Sequence, residues 1–250
     1  MPSNPKVVFF DVDDTLYDHS HHIHSGISAL QEEYLFLQEY SLDYLKELSH
    51  TLLEEVHLRL LKGEISLGDA RRIRWRKFLE KFNQTANYDP HEFSATYVKA
   101  YYGSERTVPG AVELLEVLKK EYTIGIISNN LLDEQLGKLR RLGISDYIDF
   151  FAISEEVGAA KPDRKIFDVA LERGNVHASE AVYIGDSWNT DIIGALNAGI
   201  RPIWLNRKRL ASKDPSVAEI SSFEPVENVL LHIRNESPTP QITKAEPAAA

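Results

Sequence analysis

Three acids and a threonine follow directly on an apolar run: Lys6-Val7-Val8-Phe9-Phe10-Asp11-Val12-Asp13-Asp14-Thr15-Leu16. Val7 to Phe10 reads as a strand buried on both faces. The acids then stand at its carboxyl end, where open α/β sheets bind ligands. Asp11, Asp13 and Asp14 cannot all be ionised at this spacing without a large electrostatic cost. A bound cation removes that cost, and oxygen ligands of this kind suit magnesium. The chemistry indicated is metal-assisted phosphoryl transfer, which is mostly positioning and charge neutralisation.

The missing parts can be sought at later strand ends. Thr123 to Ile127 reads as a strand running into Ser128-Asn129-Asn130 and a helix. Ser128 can hydrogen-bond a phosphate oxygen, with backbone N–H groups of the following residues, or it can be a helix N-cap. Phe150 to Ser154 leads to Gly158-Ala159-Ala160-Lys161-Pro162, where Lys161 offers a positive charge or is solvated surface. Ala181 to Ile184 ends in Gly185-Asp186-Ser187-Trp188-Asn189-Thr190-Asp191. There Asp186 can complete a metal site, and Asp191 can orient a metal-bound water or cap the next helix. Each bland reading stands alone, but Ser, Lys and acids at the ends of separate strands are hard to explain by capping.

The elements that must position these groups alternate. From Pro109, helices at Ala111–Lys120, Leu131–Leu142, Asp163–Arg173 and Asp191–Ala198 separate the strands, with a further strand at Arg201–Leu205. Ser221–Arg234 adds an extended piece and a final helix with Pro225 in its first turn. This predicts an α/β fold, a Rossmann-like doubly wound parallel sheet. From about Ser20 to Tyr102 the pattern is helical instead. Ile23, Ile27, Leu30, Tyr34 and Leu37 mark one helix and Leu42 to Leu60 another, with Gly63 as its stop. Ser66 and Asp89-Pro90 open two more. The expected division is residues 1–17 and 105–236 as the α/β core, 18–104 as an inserted helical bundle cap over the acids, and 237–250 as a disordered tail.

Composition narrows the class. The 250 residues carry a net charge of −10, which argues against general nucleic-acid binding. There is no cysteine, so disulfides, thiol nucleophiles and cysteine metal sites are excluded. No apolar run approaches the roughly 18 residues of a membrane span, and the N-terminus lacks a signal-peptide pattern. A soluble cytoplasmic protein without membrane partners is expected, with no indication of oligomeric state. No dinucleotide or phosphate-loop motif is present.

Asp11-Val12-Asp13-Asp14-Thr15, Ser128, Lys161-Pro162 and Gly185-Asp186 through Asp191 resemble, in order, the four motifs of the haloacid dehalogenase (HAD) superfamily, over Lys6 to about Leu205. The helical insertion resembles that superfamily's C1 cap. The resemblance implies a magnesium-dependent phosphatase. Asp11 would be the nucleophile that forms an aspartyl-phosphate. Asp13 would act as acid and base, its backbone carbonyl ligating magnesium beside the carboxylates of Asp11 and Asp186. Thr15, Ser128 and Asn129 would hold the phosphate and local geometry. Lys161 would neutralise charge on Asp11 and the phosphoryl group, and Asp191 would support the metal shell. Asp14 stands where glycine is common and receives no catalytic role. True dehalogenases need neither an acid at the Asp13 position nor a metal, so Asp13 with Gly185-Asp186 favours a phosphatase. The substrate would be a small phosphate ester: a nucleoside monophosphate, sugar phosphate or phosphoglycolate. A phosphomutase, a dehalogenase, and a non-enzymatic phospho-receiving or binding protein are the alternatives.

Other features have plainer readings. His19, His21, His22 and His24 fit a hinge or first cap turn, with one histidine facing the substrate. Arg71, Arg72, Arg74, Arg76 and Lys77 form a basic helix, usually a solvated face, from which Arg71 or Arg74 can point down at an anionic group. Trp75, Tyr101 and Tyr102 read as cap core.

Overall fold

The computed structural model describes residues 5–236. The expected disordered tail, 237–250, lies outside the described residues. The core is a six-stranded sheet of β1 (Val7–Phe10), β2 (Thr123–Ser128), β3 (Phe150–Ile153), β4 (Ala181–Gly185), β5 (Arg201–Leu205) and β6 (Ala218–Ile220). The order is β3-β2-β1-β4-β5-β6 and every pairing is parallel. β1 is central, so both its faces need cover, which is why it has no polar residue before Asp11.

The alternation of β1 residues divides the core. Val8 and Phe10 pack with α5 (Ala111–Leu118), α6 (Leu132–Arg141) and α10 (Val226–Arg234). Val7 and Phe9 pack with α8 (Arg164–Gly174) and α9 (Ile193–Ala198) on the other face. A short α7 (Ser154–Val157) follows β3. Chain order moves from β1 to β2 and β3 on one side, and through β4 to β5 and β6 on the other. The carboxyl end of β1 therefore opens at the switch point where α/β sheets bind ligands.

Four helices interrupt the chain after β1: α1 (His19–Glu33), α2 (Leu42–Leu61), α3 (Leu67–Lys81) and α4 (Pro90–Gly103). Their starts follow local chemistry. Ser41 Oγ accepts from the Tyr44 N–H, Ser66 Oγ from Asp69 and Asp89 Oδ1 from His91, with Pro90 in the first helical turn. Ile23, Ile27, Leu30, Leu45, Leu52, Trp75, Phe78, Phe93 and Tyr97 form a core of their own. Gly26 permits close contact of α1 and α4, since a Cβ there would lie 2.5 Å from the Tyr97 ring.

Several boundaries differ from those read in the sequence. The stripe ending at Leu37 is not one helix: Tyr34 is extended, α1 ends at Glu33, and a 3₁₀ turn covers Leu35–Leu37. The last extended segment precedes Ser221, as edge strand β6, and Pro225 caps α10 rather than entering it. The helix expected from Asp191 begins earlier, as a π-helical turn over Trp188–Ile192. Asp191 folds back to bond the Ser187 N–H, so it does not cap α9.

Asp18 ties this insertion to the sheet. Its carboxylate accepts from Arg106 Nε at 2.8 Å, where the chain returns from α4, and from Arg207 Nη2 at 2.8 Å, beyond β5. Burial alone would raise its pKa, but the hydrogen bonds from Arg207 and Arg106 outweigh this and hold it below the usual range. A carboxyl depressed in the folded state adds stability above its unfolded pKa and loses it as pH falls through the folded value. Asp18→Asn is expected to lower unfolding free energy at neutral pH by about 1–3 kcal/mol. Its difference from the parent protein should shrink below about pH 4. Urea denaturation at several pH values checks both.

Candidate active site

The first acid closes a buried ion cluster. Asp11 leaves the end of β1, where its N–H bonds the Ile184 carbonyl at 3.0 Å. Its Oδ1 accepts from Lys161 Nζ at 2.7 Å. Lys161 also donates to Asp191 Oδ1 at 2.7 Å and to the Tyr183 hydroxyl at 3.0 Å. Tyr183 in turn donates to Asp191 Oδ1 at 2.9 Å. Asp11, Lys161 and Asp191 are all buried. Burial alone would lower the Lys161 pKa, but the two carboxylates outweigh it and hold the ammonium well above its ordinary value.

Asp186 joins this cluster from the end of β4. One carboxylate oxygen each of Asp11, Asp186 and Asp191 lies within 4.8 Å of the others. Burial, with repulsion from Asp191 and Asp13 against attraction by Lys161, pushes Asp11 up to about 7. Burial and the charges of Asp191 and Asp11 push Asp186 up to about 8. Three carboxylates facing one ammonium leave two negative charges in excess when ionised. An all-oxygen donor set with that excess fits a divalent hard cation such as magnesium. Gly185 leaves the room: a Cβ there would lie 2.6 Å from the Asp191 carboxyl carbon.

Asp13 has a different environment. Its Oδ1 accepts from Lys138 Nζ at 2.6 Å and its Oδ2 from Gln135 Nε2 at 2.9 Å. Burial would raise its pKa, but Lys138, His19 and the Gln135 bond outweigh it and hold the carboxyl well below the usual range. The Asp13 carboxylate is thus outside the group of three. Asp14 turns away, accepting from the Ser20 N–H and hydroxyl at 2.7 Å each, with a positive φ of 60°.

The other expected residues fall at the same sheet edge. Ser128 is buried and accepts from Gln135 Nε2 at 2.8 Å; the N-cap position of α6 belongs to Leu131. Asn129 clamps the Lys161 backbone, accepting from its N–H at 2.6 Å and donating to its carbonyl at 2.9 Å. Asn129 thereby positions Lys161, and its side chain is committed there. Thr15 is fully buried, its hydroxyl without a hydrogen-bond partner among the described residues.

Sequence reading missed Lys138, Gln135 and Tyr183. Lys138 and Gln135 stand three apart on α6, so they share a face, but their spacing carries no motif. Both are almost fully buried, which for a lysine and a glutamine calls for a partner, and burial cannot be read from the chain. Tyr101 and Tyr102, read as cap core, are only half-buried and line the cleft beneath the helices.

The fold and this edge define a doubly wound α/β hydrolase with an aspartate centre. A family model of haloacid dehalogenase-like hydrolases matches residues 5–199, and the chain belongs to that family. A pyrimidine 5'-nucleotidase of Escherichia coli is 33% identical over 203 residues, covering 80% of this chain and 85% of that protein. A glyceraldehyde 3-phosphate phosphatase of Methanothermobacter thermautotrophicus is 33% identical over 204 residues, with coverage of 80% and 85%. A solved 2-haloacid dehalogenase from Pseudomonas syringae pv. Tomato matches with a TM-score of 0.58 at 31% identity, over 91% of this chain and 99% of that one. Among the described residues no helix is long and apolar enough to cross a membrane.

Lys138 positions Asp13 from a separate helix. Lys138→Met is expected to lower kcat about ten- to hundredfold through misplacement of that carboxylate. Steady-state phosphate release, with thermal melting to confirm folding, measures it.

Proposed function

We propose that the chain is a magnesium-dependent phosphatase of small phosphorylated metabolites, acting through an aspartyl-phosphate on Asp11. The observation that carries this is the separation of the two acids at one strand end. Asp11 is held by Lys161 at 2.7 Å, and Asp13, two residues on, is held by Lys138 at 2.6 Å. A nucleophile and an acid/base need such distinct environments.

Asp11 attacks phosphorus through a carboxylate oxygen while the bond to the leaving oxygen breaks. The leaving alkoxide oxygen takes a proton from the protonated Asp13 carboxyl and departs as the alcohol. Asp13 then takes a proton from water, whose oxygen attacks the phosphorus of the aspartyl-phosphate and frees Asp11 and phosphate. Held ionised by Lys138, Asp13 stands in the form that accepts this second proton. To donate the first, it must gain a proton and loosen from Lys138. Ser128 and Thr15 would hold the phosphate and the local geometry, and Lys161 would balance the charge that gathers on Asp11 and the phosphoryl oxygens. Magnesium, held by Asp11 and Asp186 with Asp191 beside them, would supply further neutralisation of phosphate charge. A carbon–halogen displacement would use Asp11 but leave the buried Lys138–Gln135 holder of Asp13 without purpose. This favours the phosphatase over the dehalogenase reading. Nucleoside monophosphates, sugar phosphates and phosphoglycolate are the substrate classes that fit.

A phosphate-release screen over these esters is expected to show turnover that EDTA abolishes. Asp11→Asn should lose roughly 10⁴-fold or more in kcat, on the scale of nucleophile removal elsewhere. Full activity in Asp11→Asn would refute the mechanism.

A further inference from the structure

Of the three carboxylates that meet at the sheet edge, one has no partner. Lys161 Nζ pairs with Asp11 and with Asp191, each at 2.7 Å. Asp191 also accepts from the Tyr183 hydroxyl and the Ser187 N–H, at 2.9 Å each. Among the described residues, no hydrogen bond or ion pair holds the Asp186 carboxylate. Asp186 is half-buried, and the direction of its side chain depends on the backbone that carries it.

That backbone is held from the neighbouring strand. Gly185 stands opposite Trp204 in the register of β4 and β5. Asp186 lies one residue past the end of β4, and its carbonyl accepts from Trp204 Nε1 at 2.8 Å. Trp204 is buried. Its ring meets Trp188 edge to face with centroids 4.8 Å apart, and Ile192 and Val217 complete the apolar cluster around the pair. Trp188 and Ile192 belong to the π-helical turn that follows. The loop is therefore fixed on both sides of Ser187, by a hydrogen bond at Asp186 and by a ring contact at Trp188.

Tryptophan suits this task. An indole N–H can only donate, and on a rigid buried ring its place is set by packing. Phenylalanine would fill much of the same space and offer no donor. Magnesium is exacting about ligand geometry, and the groups that orient its ligands tune its binding. We infer that Trp204 is a positioning residue for the metal site: through the Asp186 carbonyl it aims a carboxylate that no other side chain holds. This rests on the magnesium-dependent reading of the site, and it adds a residue from β5, a strand that carries none of the acids.

Calorimetric titration of the full chain with Mg²⁺ tests it. Trp204→Phe is expected to raise the Mg²⁺ dissociation constant about three- to tenfold, the size of one hydrogen bond. The Mg²⁺ concentration that half-saturates phosphate release from p-nitrophenyl phosphate should rise by the same factor, and saturating Mg²⁺ should restore kcat. Val217→Ala removes packing from the same cluster but keeps the indole N–H, and should leave Mg²⁺ affinity unchanged. An unchanged dissociation constant in Trp204→Phe overturns the inference, and so does equal weakening in Val217→Ala, which traces the effect to packing. A loss of kcat that saturating Mg²⁺ does not restore overturns it too. If Trp204→Phe does not fold, the NMR signals of the three tryptophan indoles in the parent protein decide, assigned with Trp75→Phe and Trp188→Phe. The Trp204 N–H signal should shift saturably with Mg²⁺, and one that stays in place overturns the assignment. Failure of the parent protein to bind Mg²⁺ overturns the magnesium reading as well, whereas binding that ignores Trp204→Phe overturns this inference alone.

Discussion

The whole arrangement depends on keeping three carboxylates buried at one sheet edge. Asp11, Asp186 and Asp191 meet within 4.8 Å, and among the described residues Lys161 is the only ammonium paired within that group. Unpaired, such charges would protonate or leave the interior. Lys161 can serve two of them because its backbone is locked from both sides by Asn129. Tyr183 reaches up from β4 to share the load on Asp191. The π-helical turn follows from the same need: widening the backbone after Ser187 lets Asp191 turn back toward Lys161 instead of capping α9. One electrostatic requirement thus shapes three loops from three strands.

The inserted helices answer a second requirement. A site at the open edge of a sheet is wet, and phosphoryl transfer gains from exclusion of water and from groups that hold the rest of the substrate. Placing the insertion directly after β1 brings it above Asp11 and Asp13 with little linker. Asp18, where the insertion begins, is gripped by Arg106, where it ends, and by Arg207 from beyond β5. Tyr17 adds backbone pairing with both Asp13 and Thr107. The junction is therefore built of directional bonds, which set the height of the roof over the acids.

Much of this is legible in the chain. Strands buried on both faces announce themselves as apolar runs, and their polar ends mark the ligand edge without knowledge of the pairing order. Ser41, Ser66 and Asp89-Pro90 mark helix starts because capping is local chemistry. What cannot be read is what burial and distance create. Asp13 and Lys138 are 125 positions apart, and nothing near Lys138 signals that its ammonium is buried. The break at Tyr34 is similarly hidden, because Leu35 to Leu37 keeps an apolar pattern while the backbone leaves the helix. Asp191 shows a third limit: the local sequence allows it to cap a helix or to support a metal, and nothing there reveals the lysine thirty positions away that holds it.

The acid pair shows why the missed residues matter. Asp11 and Asp13 are separated by one valine, so at equal solvation they would repel and titrate together. The fold prevents this by giving each its own ammonium from opposite directions, Lys161 from the loop before α8 and Lys138 from α6. Burial and the charges of Asp191 and Asp13 push Asp11 up, whereas Lys138, His19 and Gln135 hold Asp13 down. Two chemically identical side chains thereby become unlike groups, which a reaction with separate nucleophilic and proton-transfer roles requires. The difference does not lie in the Asp-x-Asp motif itself. It lies in the two lysines, one carried within a motif of the chain and one visible only once the helices are packed.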